Sequence, residues 1–423
     1  MIRRTLTLAL LTAGISASAL AAEEEGEGSE VEKVTNGNLP PLTGEPRSPV
    51  KDMSDYKPTI AKDLNRPLPA DAYKGAVMLD MDPEFVNGVQ HGLDLMYKRD
   101  YNGARDSFEA LDGTFPGTAV GAVVDMLVWQ ALMLENFDFK YDKQYWTSSK
   151  AARDALDVAM AQPGNESWEH LLLASVLGVE SIHTMRKTQY LQALNLAFQA
   201  MDHIEKARKA NPDFIDLELA DGMYNYWRSV VTMSTNALPD FGDERVKGLE
   251  QMQAVERNGV FLKPLATLAL AFSWMEENEY RKAEAALGRN YSLFPESVVN
   301  NMVAGTNYIY MKNYEKALER FDLVLKADPK NQRVHYWKGV ALLRSKKRAE
   351  ALAEFETYLK YEHLEDYQKS WTLYRIGQVQ RGNKEYAKAY ESFKEANKVD
   401  GHKAAKAAMD RLKQRKKEGK IDF

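Results

Sequence analysis

Residues 310–331 read YMKNYEKALERFDLVLKADPKN, and residues 97–117 read YKRDYNGARDSFEALDGTFPG. Each stretch has an aromatic residue, a short polar break, a second aromatic residue, an alanine, a phenylalanine four positions after the alanine, and then a proline. A pattern that recurs in two distant parts of one chain indicates an internal repeat. The repeat, more than the length of 423 residues, therefore decides the architecture.

Small and aromatic residues return every 34 positions in the C-terminal part of the chain. The positions at this spacing are Ala283, Ala317 and Ala351, Phe321 and Phe355, Gly305 and Gly339, and Pro295 and Pro329. The same internal offsets recur downstream at Gly377, Ala389 and Phe393, and upstream at Gly92, Ala104, Phe108 and Pro116. Small residues let two helices cross closely, a phenylalanine fills the space to the next unit, and a proline ends a helix.

These residues resemble the tetratricopeptide repeat, a helix–turn–helix unit of 34 residues. The resemblance implies an all-α fold, a right-handed α-solenoid of stacked helix–turn–helix repeats. Residues 242–259, GDERVKGLEQMQAVERNG, also resemble a segment of a subset of exported bacterial tetratricopeptide proteins. That subset is similar to the eukaryotic Iml2/TTC39 type, and this second resemblance implies no particular chemistry.

Composition divides the chain into five segments. They are a signal peptide at 1–22, an acidic and proline-rich disordered linker at 23–80, degenerate helical repeats at 81–260, regular repeats at 261–403, and a basic capping helix and tail at 404–423. Residues 136–149, NFDFKYDKQYWTSS, are expected to form a long insertion between two helices. The basic end is interpreted as a solvated cap, with attraction to anionic lipid or an acidic partner as the alternative.

The N-terminus has the pattern of a secretory signal. Arg3 and Arg4 precede a short apolar run that ends in Ala19-Leu20-Ala21, which fits the small-x-small cleavage rule. We expect cleavage after Ala21 or Ala22 and a periplasmic location, and an uncleaved membrane anchor is the alternative. No later stretch approaches the roughly 18 apolar residues that a membrane span requires.

Several classes of chemistry are not indicated. The chain has no cysteine, which excludes a disulfide framework, a thiolate metal site and a cysteine nucleophile. The seven histidines form no metal-binding motif, and neither a nucleophile elbow nor a phosphate-binding glycine loop occurs. The net charge of -5 does not suggest a nucleic-acid partner. We predict no catalytic residue, cofactor or metal, and interpret Glu276–Glu277 as a solvated face.

Partner binding is the favoured function. The resemblance implies that the first helix of each unit lines the concave surface, where aromatic and arginine side chains are suited to anchor an interface. The candidates on that surface are Tyr310, Tyr336, Arg344, Trp371, Tyr374, Arg381, Tyr226 and Trp227. Packing between neighbouring helices is the alternative role for these side chains.

The predicted function is a periplasmic scaffold or adaptor that binds a partner protein of the cell envelope in its concave groove. Envelope assembly, secretion and motility machinery are the settings implied by analogy, and peripheral membrane or complex association is left open. The alternative is a carrier or sensor of an envelope lipid or glycan, which would use an aromatic pocket around residues 224–227.

The signal-peptide interpretation predicts the N-terminus of the mature protein. Intact-mass spectrometry of the exported protein should find a chain that begins at Ala22 or Glu23. Ala21→Arg, which removes a small residue from the cleavage site, should leave the precursor unprocessed. Recovery of a native chain that still begins at Met1 would instead support the uncleaved anchor.

Overall fold

The computed structural model describes residues 68–162, 166–233 and 242–423. These residues form 18 α-helices and no strand, which confirms the predicted all-α fold of helical repeats. The predicted signal peptide and the linker up to residue 67 lie outside the described residues. None of the described helices is both long enough and apolar enough to span a bilayer.

The described chain divides into two units. Unit 1 comprises residues 68–132 and 141–295, and unit 2 comprises residues 133–140 and 296–423. The helices of unit 1 are α1 (Ala70–Leu79), α2 (Pro83–Tyr97), α3 (Tyr101–Thr114), α4 (Val120–Asn136, whose last residues belong to unit 2), α5 (Asp142–Met160), α6 (Glu166–Arg186), α7 (Tyr190–Ala210), α8 (Leu217–Met233), α9 (Arg245–Asn258), α10 (Lys263–Glu276) and α11 (Tyr280–Leu293).

Unit 2 consists mainly of three helix pairs and a final helix. Its helices are α12 (Val298–Tyr310), α13 (Tyr314–Ala327), α14 (Arg333–Arg344), α15 (Arg348–Leu359), α16 (Asp366–Gly382), α17 (Tyr386–Asp400) and α18 (Lys403–Lys417). The two helices of each pair pack against each other, and each pair packs against the next. Because α12, α14 and α16 come first in their pairs, we call their shared side the first-helix face.

A glycine and a phenylalanine meet where the two helices of a repeat cross. A Cβ atom added to Gly339 would lie 2.6 Å from the ring of Phe355, and one added to Gly305 would lie 2.3 Å from the ring of Phe321. Real Cβ atoms do not approach so closely, so only glycine lets the ring occupy this position. The rings of Phe321, Phe355 and Phe393 are fully buried. The predicted role of the repeated glycine is confirmed. The phenylalanine, which was expected to fill the space to the next unit, fills the crossing of its own helix pair because glycine leaves room there.

The turn inside each repeat depends on a residue that is not glycine. The residue five positions before the repeated alanine has a left-handed backbone, and these residues are Arg99, Asn278, Lys312, Lys346 and Lys384. After Lys312, for example, the backbone N–H of Asn313 donates to the Tyr308 carbonyl five residues back at 2.9 Å. This is the hydrogen bond that closes a Schellman motif, and it ends the first helix.

Two expectations about the N-terminal part are wrong. Residues 70–79, assigned above to the disordered linker, form α1 because Ala72 and Leu79 are fully buried. Residues 142–149, assigned to a long insertion, belong to α5, since Tyr145 and Leu156 on that helix are also fully buried. The break between α4 and α5 is therefore only residues 137–141.

The glycine crossing predicts opposite effects for two glycines of one helix pair. Gly92→Ala should lower the free energy of unfolding by about 1–3 kcal/mol, because its Cβ would lie 2.3 Å from the ring of Phe108. Gly113→Ala, at a helical position with nothing within 4 Å of the added atom, should raise it by about 0.5–1 kcal/mol. Urea unfolding followed by circular dichroism measures both. Equal effects of the two substitutions would contradict the crossing constraint.

Candidate functional site

The repeats of unit 2 hold a segment of the same unit, residues 133–140, which we call the docked segment. The Asn331 side-chain amide donates to the backbone carbonyl of Glu135 at 3.1 Å. The Gln368 amide donates to the backbone carbonyl of Phe137 at 3.0 Å. Two side chains from consecutive repeats thus bind two main-chain carbonyls that are two residues apart.

Both amide side chains are fixed by the helices that they precede or begin. The Asn331 side-chain oxygen accepts from the backbone N–H of Val334 at 3.1 Å. The Gln368 side-chain oxygen accepts from the backbone N–H of Glu365 at 2.9 Å, as part of a capping box. In each amide, the oxygen accepts a hydrogen bond from a backbone N–H at the start of a helix. This bond fixes the side chain, so its nitrogen points toward the docked segment.

The side chains of the docked segment are also recognised. The guanidinium of Arg333 lies 4.4 Å from the centre of the Phe137 ring, a cation–π contact between two buried groups. The Tyr361 hydroxyl donates to the carboxylate of Asp138, which is 2% exposed. Burial lowers the pKa of Arg333, and the nearby Tyr358 and Tyr367 oppose that change. We call Asn331, Arg333, Tyr361 and Gln368 the docking surface.

Comparison with known proteins identifies the repeats at this surface. Residues 302–363 match the family model described as tetratricopeptide repeat. Residues 302–363 are tetratricopeptide repeats. Such repeats typically serve as scaffolds for protein–protein interaction rather than as catalysts. Three of the four residues of the docking surface lie within the matched range.

Three solved structures are similar to this chain. A human IFIT1 dimer with PPP-AAAA has a TM-score of 0.46 and 12% identity, and covers 79% of this chain and 86% of its own. The P58(IPK) TPR domain has a TM-score of 0.25 and 14% identity, and the match covers 80% of this chain and 100% of that domain. The APC/C hetero-tetramer Cut9-Hcn1 has a TM-score of 0.26 and 11% identity, and the match covers 78% of this chain and 91% of the matched chain. No curated protein matches the chain.

The eight residues predicted from the sequence differ in exposure. Arg381 is exposed, Tyr336, Arg344, Trp371 and Trp227 are half-buried, and Tyr310, Tyr374 and Tyr226 are buried. Partner binding by these residues stays a prediction. The docking surface was not predicted, because its residues lie at or before the starts of first helices rather than along them. An amide residue near a helix start is the only signal that the sequence offers for it.

Two of the predicted aromatic side chains pack against the last helix of unit 2. The ring of Tyr374 stacks on that of His402 at 4.8 Å, and the ring of Trp371 lies 4.3 Å from it. His402 caps the start of α18 by accepting from a backbone N–H. Arg375, which no sequence pattern singles out, is 2% exposed, and its guanidinium lies 5.7 Å from the centre of the Trp371 ring. The packing role for Trp371 and Tyr374 therefore has direct contacts to support it.

Tyr226 lies in the core of unit 1. Its ring is fully buried, and its hydroxyl is 2.9 Å from both the Ser273 carbonyl oxygen and a Glu277 carboxylate oxygen. The Arg245 guanidinium donates to the same carboxylate at 2.9 Å. Tyr226 therefore packs inside unit 1 and does not line an open groove.

The Glu276–Glu277 pair is not the solvated face that the sequence predicts. The side chain of Glu277 is 4% exposed and forms an ion pair with that of Arg245, which is 6% exposed. Burial raises the pKa of Glu276, and the neighbouring Glu277 adds to that increase. Arg245 and Tyr226 thus satisfy the buried Glu277 carboxylate where α8, α9 and the end of α10 meet, and removal of either partner would leave that charge uncompensated.

Tertiary structure also groups histidines that are scattered in the sequence. The Nδ1 atoms of His170 and His203 are 3.1 Å apart between α6 and α7. His183 is fully buried, with Nε2 2.7 Å from Asp142 and Nδ1 3.0 Å from Gln130. The described residues contain no group of three or more His, Asp or Glu side chains placed to bind a metal ion.

His183 predicts an acid-dependent loss of stability in unit 1. Burial lowers the pKa of His183 to about 4 although Asp142 opposes this, while the unfolded pKa is near 6.5. The unfolded chain therefore takes up a proton first, and the stability present above about pH 6.5 declines as the pH falls toward 4. Urea unfolding should show a loss of about 2 kcal/mol between about pH 7 and pH 4.5 from this group.

His183→Gln removes that proton uptake and should flatten the decline. His91→Gln, which removes an exposed imidazole, controls for the loss of a histidine. A decline of the same size in the His183 variant would show that other groups cause it.

Proposed function

We propose that this chain is an exported scaffold that binds a partner polypeptide on the first-helix face of its C-terminal repeats. Its repeats belong to a family that supports such interactions. The proposal includes a partner in the cell envelope and a periplasmic location, for which the signal-like N-terminus is the support. Assembly, secretion or motility machinery are the proposed settings.

The docked segment is the observation that carries this proposal. Asn331 and Gln368 donate to backbone carbonyls of Glu135 and Phe137, so the repeats use their side chains to bind polypeptide main chain. Main-chain carbonyls are present in any partner segment. A side-chain amide whose oxygen already accepts a backbone hydrogen bond is held in place, so its nitrogen binds such a carbonyl at a low entropic cost.

The opposite ends of the same first helices offer two cationic groups. Arg344 is half-buried in the last turn of α14, and Arg381 is exposed in the last turn of α16. Two arginines at the same end of neighbouring first helices suit an acidic partner segment, since guanidinium groups bind carboxylates with two parallel hydrogen bonds.

Site-specific cross-linking tests the proposal. A photo-reactive residue at position 381 should capture a discrete partner from the envelope fraction, and the same residue at exposed position 415 on α18 should not. Arg344→Ala with Arg381→Ala, assayed with the photo-reactive residue moved to exposed position 383, should reduce capture by at least about tenfold, because the loss of a desolvated charge pair costs more than 1.4 kcal/mol. The matched control is Arg411→Ala with Arg415→Ala, two exposed arginines of α18.

Thermal unfolding separates loss of binding from loss of fold. Both double variants should keep melting temperatures close to that of the native chain, because the substituted side chains lie outside the apolar core. Equal capture from positions 381 and 415, or full capture by the Arg344 and Arg381 variant, would refute the proposed binding face.

A further inference from the structure

We infer that the docking surface is a peptide-recognition site, and that the docked segment is an internal occupant which an external ligand of the same chemistry replaces. The ligand class is a helix end that terminates in an aromatic residue followed by an acidic one. This inference rests on the proposed function, and it names the ligand class and the regulation of that function.

The docking surface recognises a short, contiguous stretch. Its contacts with the docked segment include residues 135, 137 and 138, with the Glu135 carbonyl at one end and the Asp138 carboxylate at the other. The backbone N–H of Gln332 adds a bond to the side-chain oxygen of Asn136 at 2.8 Å. Each of four successive residues is therefore bound. Contacts to consecutive residues are typical of a peptide-binding site, whereas general packing contacts are spread over separate parts of a chain.

Two of these contacts specify side chains. The Phe137 ring is 6% exposed beneath the Arg333 guanidinium, where an aliphatic side chain would lose the cation–π attraction. The Asp138 carboxylate is buried, and a buried charge requires hydrogen-bond donors such as the Tyr361 hydroxyl. An aromatic residue followed by an acidic one satisfies both positions.

The backbone conformation of the docked segment is held by a hydrogen bond within the segment. Phe137 has a left-handed backbone with φ 56°, and the Asp138 N–H donates to the Met133 carbonyl at 3.1 Å. This hydrogen bond closes a Schellman motif, which normally places glycine where Phe137 stands. The left-handed conformation is unfavourable for a residue other than glycine, and contacts with the docking surface offset that cost at Phe137.

The docked segment raises the affinity that an external ligand needs in order to bind the docking surface. Because residues 133–140 belong to the same folded chain, they occupy the docking surface without the translational and rotational entropy that a separate peptide loses on binding. An isolated peptide therefore competes poorly in the native chain. A partner that also contacts the rest of the first-helix face adds binding energy and displaces the docked segment.

Vacating the docking surface tests the inference in the full chain. Phe137→Gly with Asp138→Asn removes the ring and the charge, and glycine suits the left-handed backbone at position 137. A fluorescent peptide of residues 133–140, MLENFDFK, should bind this variant at least about tenfold more tightly than the native chain in an anisotropy titration. A control peptide with the same two substitutions should bind neither chain.

Removal of the docking surface should abolish the gain. Arg333→Ala and Gln368→Ala, added to the vacated variant, should return peptide binding to the native level. The inference is overturned if MLENFDFK binds the vacated variant no better than the native chain, or if the control peptide binds equally well.

A second readout does not require the vacated variant to fold. The chain has no cysteine, so Lys140→Cys gives a single labelling position at the exposed end of the docked segment. Millimolar MLENFDFK should shift the emission of a fluorophore at that position, and the control peptide should not. No shift, together with no binding to a folded vacated variant, would refute the internal-occupant role. Partner capture through Arg344 and Arg381 would survive that result, so the two proposals fail separately.

Discussion

The close crossing of two helices at a glycine is the constraint on which the repeats depend. At Gly305, Gly339 and Gly377 a side chain as small as a methyl group would overlap a buried phenylalanine ring. The ring fills the space that the missing Cβ leaves, so each repeat buries a large apolar group at its centre. Because one helix pair cannot cover its own apolar face, successive pairs must stack, and the first helices come to share one face.

That shared face places helix starts side by side, and the docking surface follows from this arrangement. Asn331 and Gln368 are at or near the starts of neighbouring first helices, where backbone N–H groups need acceptors. Each amide satisfies that need with its oxygen and keeps its nitrogen for a carbonyl of the docked segment. The requirement to cap a helix thus produces a preorganised donor for polypeptide.

The sequence predicts the repeats well because their constraint is local. Glycine, alanine and phenylalanine at fixed offsets decide which helices form and how a pair crosses, and the structure confirms this for the units with Phe108, Phe321, Phe355 and Phe393. The turns were harder to predict, since Lys312 and Lys346 occupy left-handed positions that normally favour glycine. The buried Glu277 was misassigned because its partner Arg245 is 32 residues away.

The sequence alone determined that this protein is an all-α array of helix pairs, since each pair is specified by residues within about one repeat length. Only the tertiary structure decided what the surface of the array contacts. The docked segment lies 196 residues from Asn331 and 231 residues from Gln368, and no periodic pattern connects them. Long-range contacts of this kind are made by single side chains whose positions the fold sets. The candidate site therefore became visible only when residues 135–138 and the starts of α14 and α16 were seen together.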